Sequence, residues 1–151
     1  MPQFGHTENN TLNAERAIFM RARLHICTGR RRLREGKISL GIVTLYDALN
    51  SALQWYVACP EHRKKLRTIT TDNFIDDNIV FDILVRSGVI APEFDYGAFN
   101  ELVETALYKN MSTFNYADML AGIESVMTQL GVMPFDEDEL HPDDTGISQD
   151  N

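Results

Sequence analysis

The stretch from Ile38 to Cys59 constrains this chain more than any other. At 1.5 Å per residue it makes a helix of about 33 Å, as long as a small domain is wide. Ile42, Val43, Leu45, Tyr46, Leu49, Ala52, Leu53, Tyr56 and Val57 fall within about half of its wheel, the arc of a core-facing helix. The other side carries Thr44, Asp47, Ser51 and Gln54, which are polar but hold a single charge. Such a face is less hydrophilic than an ordinary surface, so another helix or a second subunit is expected to cover part of it. Asp47, Asn50 and Gln54 near the middle exclude a membrane span, because each is costly in hydrocarbon.

With 151 residues and 44% hydrophobic content, the chain suits one domain that buries its own core without staples. No charged and then apolar leader opens the sequence, which predicts a cytoplasmic protein with no membrane partner. Cys27 and Cys59 stand alone, outside any CxxC, and read as core or boundary thiols rather than a disulfide or zinc site. Nothing in the pattern asks for a cofactor. The net charge of −8 conceals an asymmetry: residues 1–67 carry +7 and residues 68–151 carry −15. The two halves attract one another, and an acidic protein meets nucleic acid only through a locally exposed basic face.

Residues 1–10 lack periodicity and are expected to fray. Thr11 or Asn13 can cap a first helix from Ala14 to Glu35, closed by Gly36. Its wheel shows two apolar stripes, Ala17, Met20, Leu24 and Cys27 on one side and Phe19, Ala22, Ile26 and Leu33 on another. A helix with two such stripes is held by two neighbours. Between them run Arg16, Arg23, Arg30 and Arg34 on one seam, and Arg21, His25 and Arg32 on the other. Gly36 and Lys37 allow a tight antiparallel turn into the central helix, and Pro60 ends that helix.

A basic stretch, Arg63, Lys64, Lys65 and Arg67, follows as a short helical turn or an exposed connector. Asp72 can cap a third helix over 73–87, although the Ile, Val and Phe of 78–85 also suit a strand. Asp95 starts a fourth, with Phe99, Leu102, Val103, Ala106 and Leu107 on one face. Asn115 caps a fifth, whose stripe is Met119, Ile123, Val126, Met127 and Leu130, ending at Gly131. Residues 132–151 contain seven acids between Asp136 and Asp150 and no apolar period, which assigns the domain to 1–131 and a disordered acidic tail to the remainder. The prediction is an all-α, up-and-down bundle of four to five helices.

The run GRRRLREGKISLGIVTLYDALNSALQWYV resembles the opening hairpin of the HEPN domain family, a first helix turning at a glycine into a long Ala- and aromatic-rich second helix. The likeness in helix order extends over residues 14–131. It implies a bundle that often dimerises and that serves as an RNase, a partner of nucleotidyltransferases or a ligand-binding module. The RNase members carry an Arg followed after four to six residues by His. Arg21 and His25, with three between, are the nearest approach here, so no catalytic residue transfers and the resemblance implies a non-catalytic member.

Read for chemistry, the arginine row is the strongest lead. Arg16, Arg23 and Arg30 recur every seven residues, about 10.5 Å apart along the axis, and Arg31, Arg34, Lys64 and Lys65 can widen an anion or phosphate site. Arg21, His25 and Arg32 form a second polar candidate, in which cationic neighbours favour the neutral imidazole. The competing reading pairs these arginines with acids of the C-terminal half. A third lays the tail, through its acids, Phe135 and Leu140, across the basic row as a competitor of an anionic partner. The acid pairs Glu101/Glu104 and Asp72/Asp76 lack a matching second pair and read as solvated surface, without a metal. The expected role is a non-catalytic interaction module, a homodimer with a protein partner. The alternative is an RNA- or nucleotide-directed enzyme or binder using the basic helix, and it requires an acid or base to converge with an arginine.

Overall fold

A computed structural model describes the backbone of residues 2–69 and 72–140, and within them the side chains from Leu12 onward. These residues form six α-helices: α1 (Pro2–Arg34), α2 (Ile38–Ala58), α3 (Pro60–Arg63), α4 (Asp77–Arg86), α5 (Tyr96–Tyr108) and α6 (Ala117–Gln129). A 3-10 turn, Glu137–Glu139, follows. No described residue is in a strand, so 78–85 is helical, and no described helix is long and apolar enough to cross a membrane.

The hub is α2, which packs against each of the other five helices. Ile42, Leu45, Ala48, Leu49, Ala52 and Leu53 are all fully buried along it. The polar side, with its single charge, is partly covered from within the chain. Thr44 is buried and accepts a hydrogen bond from Arg32 at 2.7 Å, while its own hydroxyl donates to Leu40 C=O at 2.8 Å. Gln54 donates to Phe74 C=O and to the Asp77 carboxylate, at 3.1 and 2.7 Å.

The α1–α2 hairpin turns at Gly36, whose φ of +84° is one that only glycine adopts without strain. Two further glycines let the helix axes close up. A Cβ built on Gly29 would stand 2.7 Å from Leu45 Cδ2, and one on Gly41 would stand 2.8 Å from Leu33 Cδ2. At this crossing each backbone lies against the other, a packing feature the apolar periodicity did not reveal.

Several boundaries differ from expectation. The first helix starts at Pro2, not Ala14; proline suits the first helical turn, and extending a formed helix is far easier than nucleating one. Pro60 opens the one-turn α3 besides ending α2, so of the basic stretch Arg63 closes a helical turn, Lys64 caps it, and the rest runs on as a connector. The third main helix begins at Asp77, capped by Asp76, whose side chain accepts from Asn78 N–H. Asp72 instead accepts from Ile69 N–H and pairs with Arg86 at 2.8 Å, with Arg86 also donating to Arg67 C=O. Asp95 caps α5 as expected, accepting from Ala98 N–H at 2.9 Å. Asn115 makes a short turn onto Ala117 N–H, one residue outside the α6 cap position. Leu107, assigned to the core face of α5, is 58% exposed because it lies at the edge of the arc that Phe99, Val103 and Ala106 turn to the core, although α2 itself reaches as far as Lys109, whose carbonyl accepts from the Ser39 hydroxyl.

Residues 132–140, which composition groups with the tail, pack on the bundle. Val132 is fully buried, and Met133 and Phe135 lie against the core. These three apolar residues, which precede the first acid of the segment, Asp136, provide that anchor. Residues 141–151 lie outside the described residues, as does the part of the tail they were assigned to.

Candidate functional site

Three surfaces hold chemistry. The first is the arginine row, which the fold takes apart. Arg23 Nε donates to Val132 C=O at 3.1 Å, and its guanidinium carbon lies 4.3 Å from the Phe19 ring centre and 4.7 Å from that of Phe135. Burial pushes the Arg23 pKa below its ordinary value, against the pull of Glu139 and Cys27. Arg30 bridges two acids, Glu124 of α6 at 3.1 Å and Glu137 of the 3-10 turn. Burial acts to lower its pKa, but Glu124, Cys27 and Glu137 together hold it above the usual value. Arg16 and Arg34 are exposed, and Arg31 faces Glu35 at 3.9 Å on the surface. Lys64 faces Glu61 at 3.7 Å, and Lys65 is exposed.

Lys64 and Lys65 do not join the Arg30 to Arg34 cluster. The hairpin is antiparallel, so the two groups sit at opposite ends of α2, about 30 Å apart along its axis. The phosphate ridge read from the heptad spacing is thus split, with Arg23 and Arg30 committed to partners from the C-terminal half.

The second surface is a polar cleft of about 710 Å³ between α1, α2 and α4. Arg21 and His25 from α1 meet Tyr46, Asp47, Asn50, Ser51 and Gln54 from α2 and Asp77 from α4. Arg32, expected in this group, does not line the cleft, because it is drawn to Thr44. Burial holds the His25 pKa below 6.5; Asp47 opposes the shift, and Arg21 and Arg32 reinforce it. Burial raises the Asp77 carboxyl, opposed by the Gln54 hydrogen bond and aided by Asp76. At neutral pH the cleft therefore presents a neutral imidazole beside a carboxyl that binds its proton more tightly than usual. The wall behind Asn50 is fixed by the Tyr96 hydroxyl, which donates to its side-chain oxygen.

The third is a groove of about 360 Å³ between α5 and α6, which the sequence reading did not find. Phe94, Phe99, Leu102, Met119 and Val126 give it an apolar floor; Glu93, Asp95 and Asp118 are its acidic members. The helix wheels assigned Met119 and Leu102 to the core, yet both stay half-buried, since no further helix packs over them. Two adjacent amphipathic helices at the end of the chain, each wider in apolar arc than one contact uses, were the available signal.

Cys27 and Cys59 are free and half-buried, as read, and burial pushes both thiols up to about 11. Among the described residues no three His, Cys, Asp or Glu side chains gather as a metal site. No family model, curated protein or solved structure matches this chain.

Proposed function

We propose that the chain is a non-catalytic interaction module of HEPN-like layout, a cytoplasmic homodimer that receives a basic amphipathic helix of a protein partner in the α5–α6 groove. The observation that carries this reading is an apolar floor bordered by Glu93, Asp95 and Asp118. A helix laid there buries its apolar stripe against Phe94 and Met119 and sets Lys or Arg beside the carboxylates. The −15 charge of residues 68–151 adds long-range attraction for such a segment.

The test is a titration of the full chain with a lysine-rich amphipathic helical peptide, followed by amide chemical shifts. Shifts are expected at Phe94, Met119 and Gly122, and Asp118→Lys, an exposed charge reversal, is expected to weaken binding roughly tenfold and reduce its salt dependence. Shifts absent from the groove, or an affinity indifferent to Asp118→Lys, would sink the docking site. Light scattering on the same sample reads the assembly, and the mass of one chain would remove the dimer.

A second reading, a nucleotide-directed binder or enzyme, is favoured by one observation: Arg21 converges with His25, Asp47 and Asp77 in the polar cleft. Arg21 would take a phosphate while the neutral His25 accepts a proton. The ring signals of His25 are expected to titrate with a midpoint below 6.5, because burial disfavours the imidazolium. The unfolded chain gains that proton first, so the His25 contribution to stability is present above pH 6.5 and is lost as pH falls toward the folded midpoint. Adenosine monophosphate in the cleft should raise the midpoint, since a nearby phosphate favours the charged ring. A midpoint that the nucleotide does not move counts against this reading.

A further inference from the structure

The segment that follows α6 is held at each successive contact by a different kind of force. Val132 is fully buried, and its N–H donates to Met127 C=O at 3.0 Å, which fixes where the segment departs. Its carbonyl receives Arg23 Nε at 3.1 Å. Three residues on, the Phe135 ring lies 4.7 Å from the Arg23 guanidinium, which also lies over Phe19. Two further on, the Glu137 carboxylate meets the Arg30 fork, whose other arm holds Glu124. Asp136 sets the local turn by accepting from Asp138 N–H at 2.9 Å.

The receiving groups belong to helices that are also held by core residues outside this segment. Ala22, Ile26 and Leu33 hold α1 on α2, and Ile123, Val126 and Met127 hold α6 in the core. An aromatic and guanidinium platform at residues 19 and 23, with a guanidinium fork one heptad further along, therefore stands ready for any chain of matching chemistry. Its specification can be read from the present occupant: an acidic segment that makes a single 3-10 turn, with an aromatic side chain two residues before a glutamate.

We propose that this face of α1 is a binding site for an acidic, aromatic-bearing segment of a partner protein, and that residues 132–140 occupy it in cis. The occupant is chosen by charge: the site presents two guanidinium groups, and its own ligand carries Glu137 on one of them and Glu139 near the other. Guanidinium forks favour carboxylate partners, and stacking on Phe gives an aromatic anchor. The cis segment competes at the effective concentration of a short tether, so the site is largely occupied until a partner outcompetes it. This surface is separate from the α5–α6 groove and does not depend on the function proposed for that groove.

The test uses the full chain and a fluorescent peptide, Pro-Phe-Asp-Glu-Asp-Glu-Leu, copied from residues 134–140. Glu137→Lys sets like charges against each other at Arg30 and unseats the cis segment while leaving Val132 in place. Fluorescence anisotropy is expected to show roughly tenfold tighter binding to Glu137→Lys than to the unaltered chain, the advantage a tethered competitor confers. Phe135→Ala, which releases the segment without adding charge, should give a gain in the same direction. Adding Arg30→Gln to either variant should abolish the gain, and a peptide with alanine for its phenylalanine should bind poorly. Equal affinity for the unaltered chain and both released variants would overturn the proposal. So would binding that Arg30→Gln leaves intact, because it would place the peptide elsewhere.

Discussion

Gly29→Val is expected to lower the thermal midpoint by about 6–12 °C, the equivalent of roughly 3 kcal/mol in a chain of this size. Even a bare Cβ at this position would stand 2.7 Å from Leu45 Cδ2 and 2.8 Å from Leu45 Cγ. Leu45 is fully buried, so the added methyls must either push it against its core neighbours or force α1 away from α2. Overpacking of this kind costs about 1–3 kcal/mol, and a β-branched residue recovers little of it through helix propensity. The cause can be separated from a general loss of fold by a cycle with Leu45→Ala. Alone, that change costs about 2–5 kcal/mol, but with Gly29→Val it empties the space the valine needs. The double variant should be more stable than the sum of the singles by about 1–3 kcal/mol in denaturant unfolding. A Gly29→Val protein that melts with the unaltered chain would show that the helices do not approach so closely.

Leu49→Ala is expected to cost about 2–5 kcal/mol, measured by chemical denaturation. Leu49 is fully buried in the helix that touches all the others, so no single neighbour can shift to fill the vacancy. A natural domain holds a total stability of about 5–15 kcal/mol, so this one truncation removes a large part of it. Leu107→Ala provides the contrast. The α5 wheel puts Leu107 on the core face, but its side chain is 58% exposed, and the change should stay within about 0.5 kcal/mol. Equal losses at the two positions would contradict the burial that separates them.

Leu107 also shows where periodicity stops being informative. A wheel assigns a direction to each residue but not the width of the arc that its neighbours cover, so Phe99, Val103 and Ala106 are buried while Leu107, at the edge of that arc, is not. The same local rules served well where the deciding interaction was itself local: Asp95 as the α5 cap, Gly36 in the hairpin turn, and the burial of Ile42, Leu45, Leu49, Ala52, Leu53 and Val57 in the α2 stripe, whose Val43, Tyr46 and Tyr56 are half-buried. They misjudged Asp72, whose side chain was free to choose between capping a helix and meeting Arg86, fourteen residues away in the chain. Caps and ion pairs compete for the same carboxylate, and the sequence does not state which wins.

The candidate sites were less legible for a related reason. The heptad of Arg16, Arg23 and Arg30 was visible, and so was the excess of acid downstream, but not the way Glu124 and Glu137 would meet on Arg30. The polar cleft was half visible: Arg21 and His25 were paired on one seam of α1, and the α2 face with Asp47 as its single charge hinted at an unusual environment. Asp77 joins them only because α4 crosses α2, and the Gln54 to Asp77 hydrogen bond that records this crossing links residues on separate helices. No spacing within either helix encodes it.

The central position of α2 carries an implication for the order in which the chain assembles. Its contacts with α1 are made by neighbours in sequence, across a turn at Gly36, whereas α5 and α6 reach it from the far half of the chain. Contacts that close small loops form early and those that close large loops form late. During synthesis the α1–α2 hairpin emerges before α4, α5 and α6, with one apolar flank of α2 still facing water until Phe99, Val103, Ile123 and Met127 arrive. The nascent hairpin is thus the stage most exposed to self-association, and the one at which a chaperone would find its binding surface.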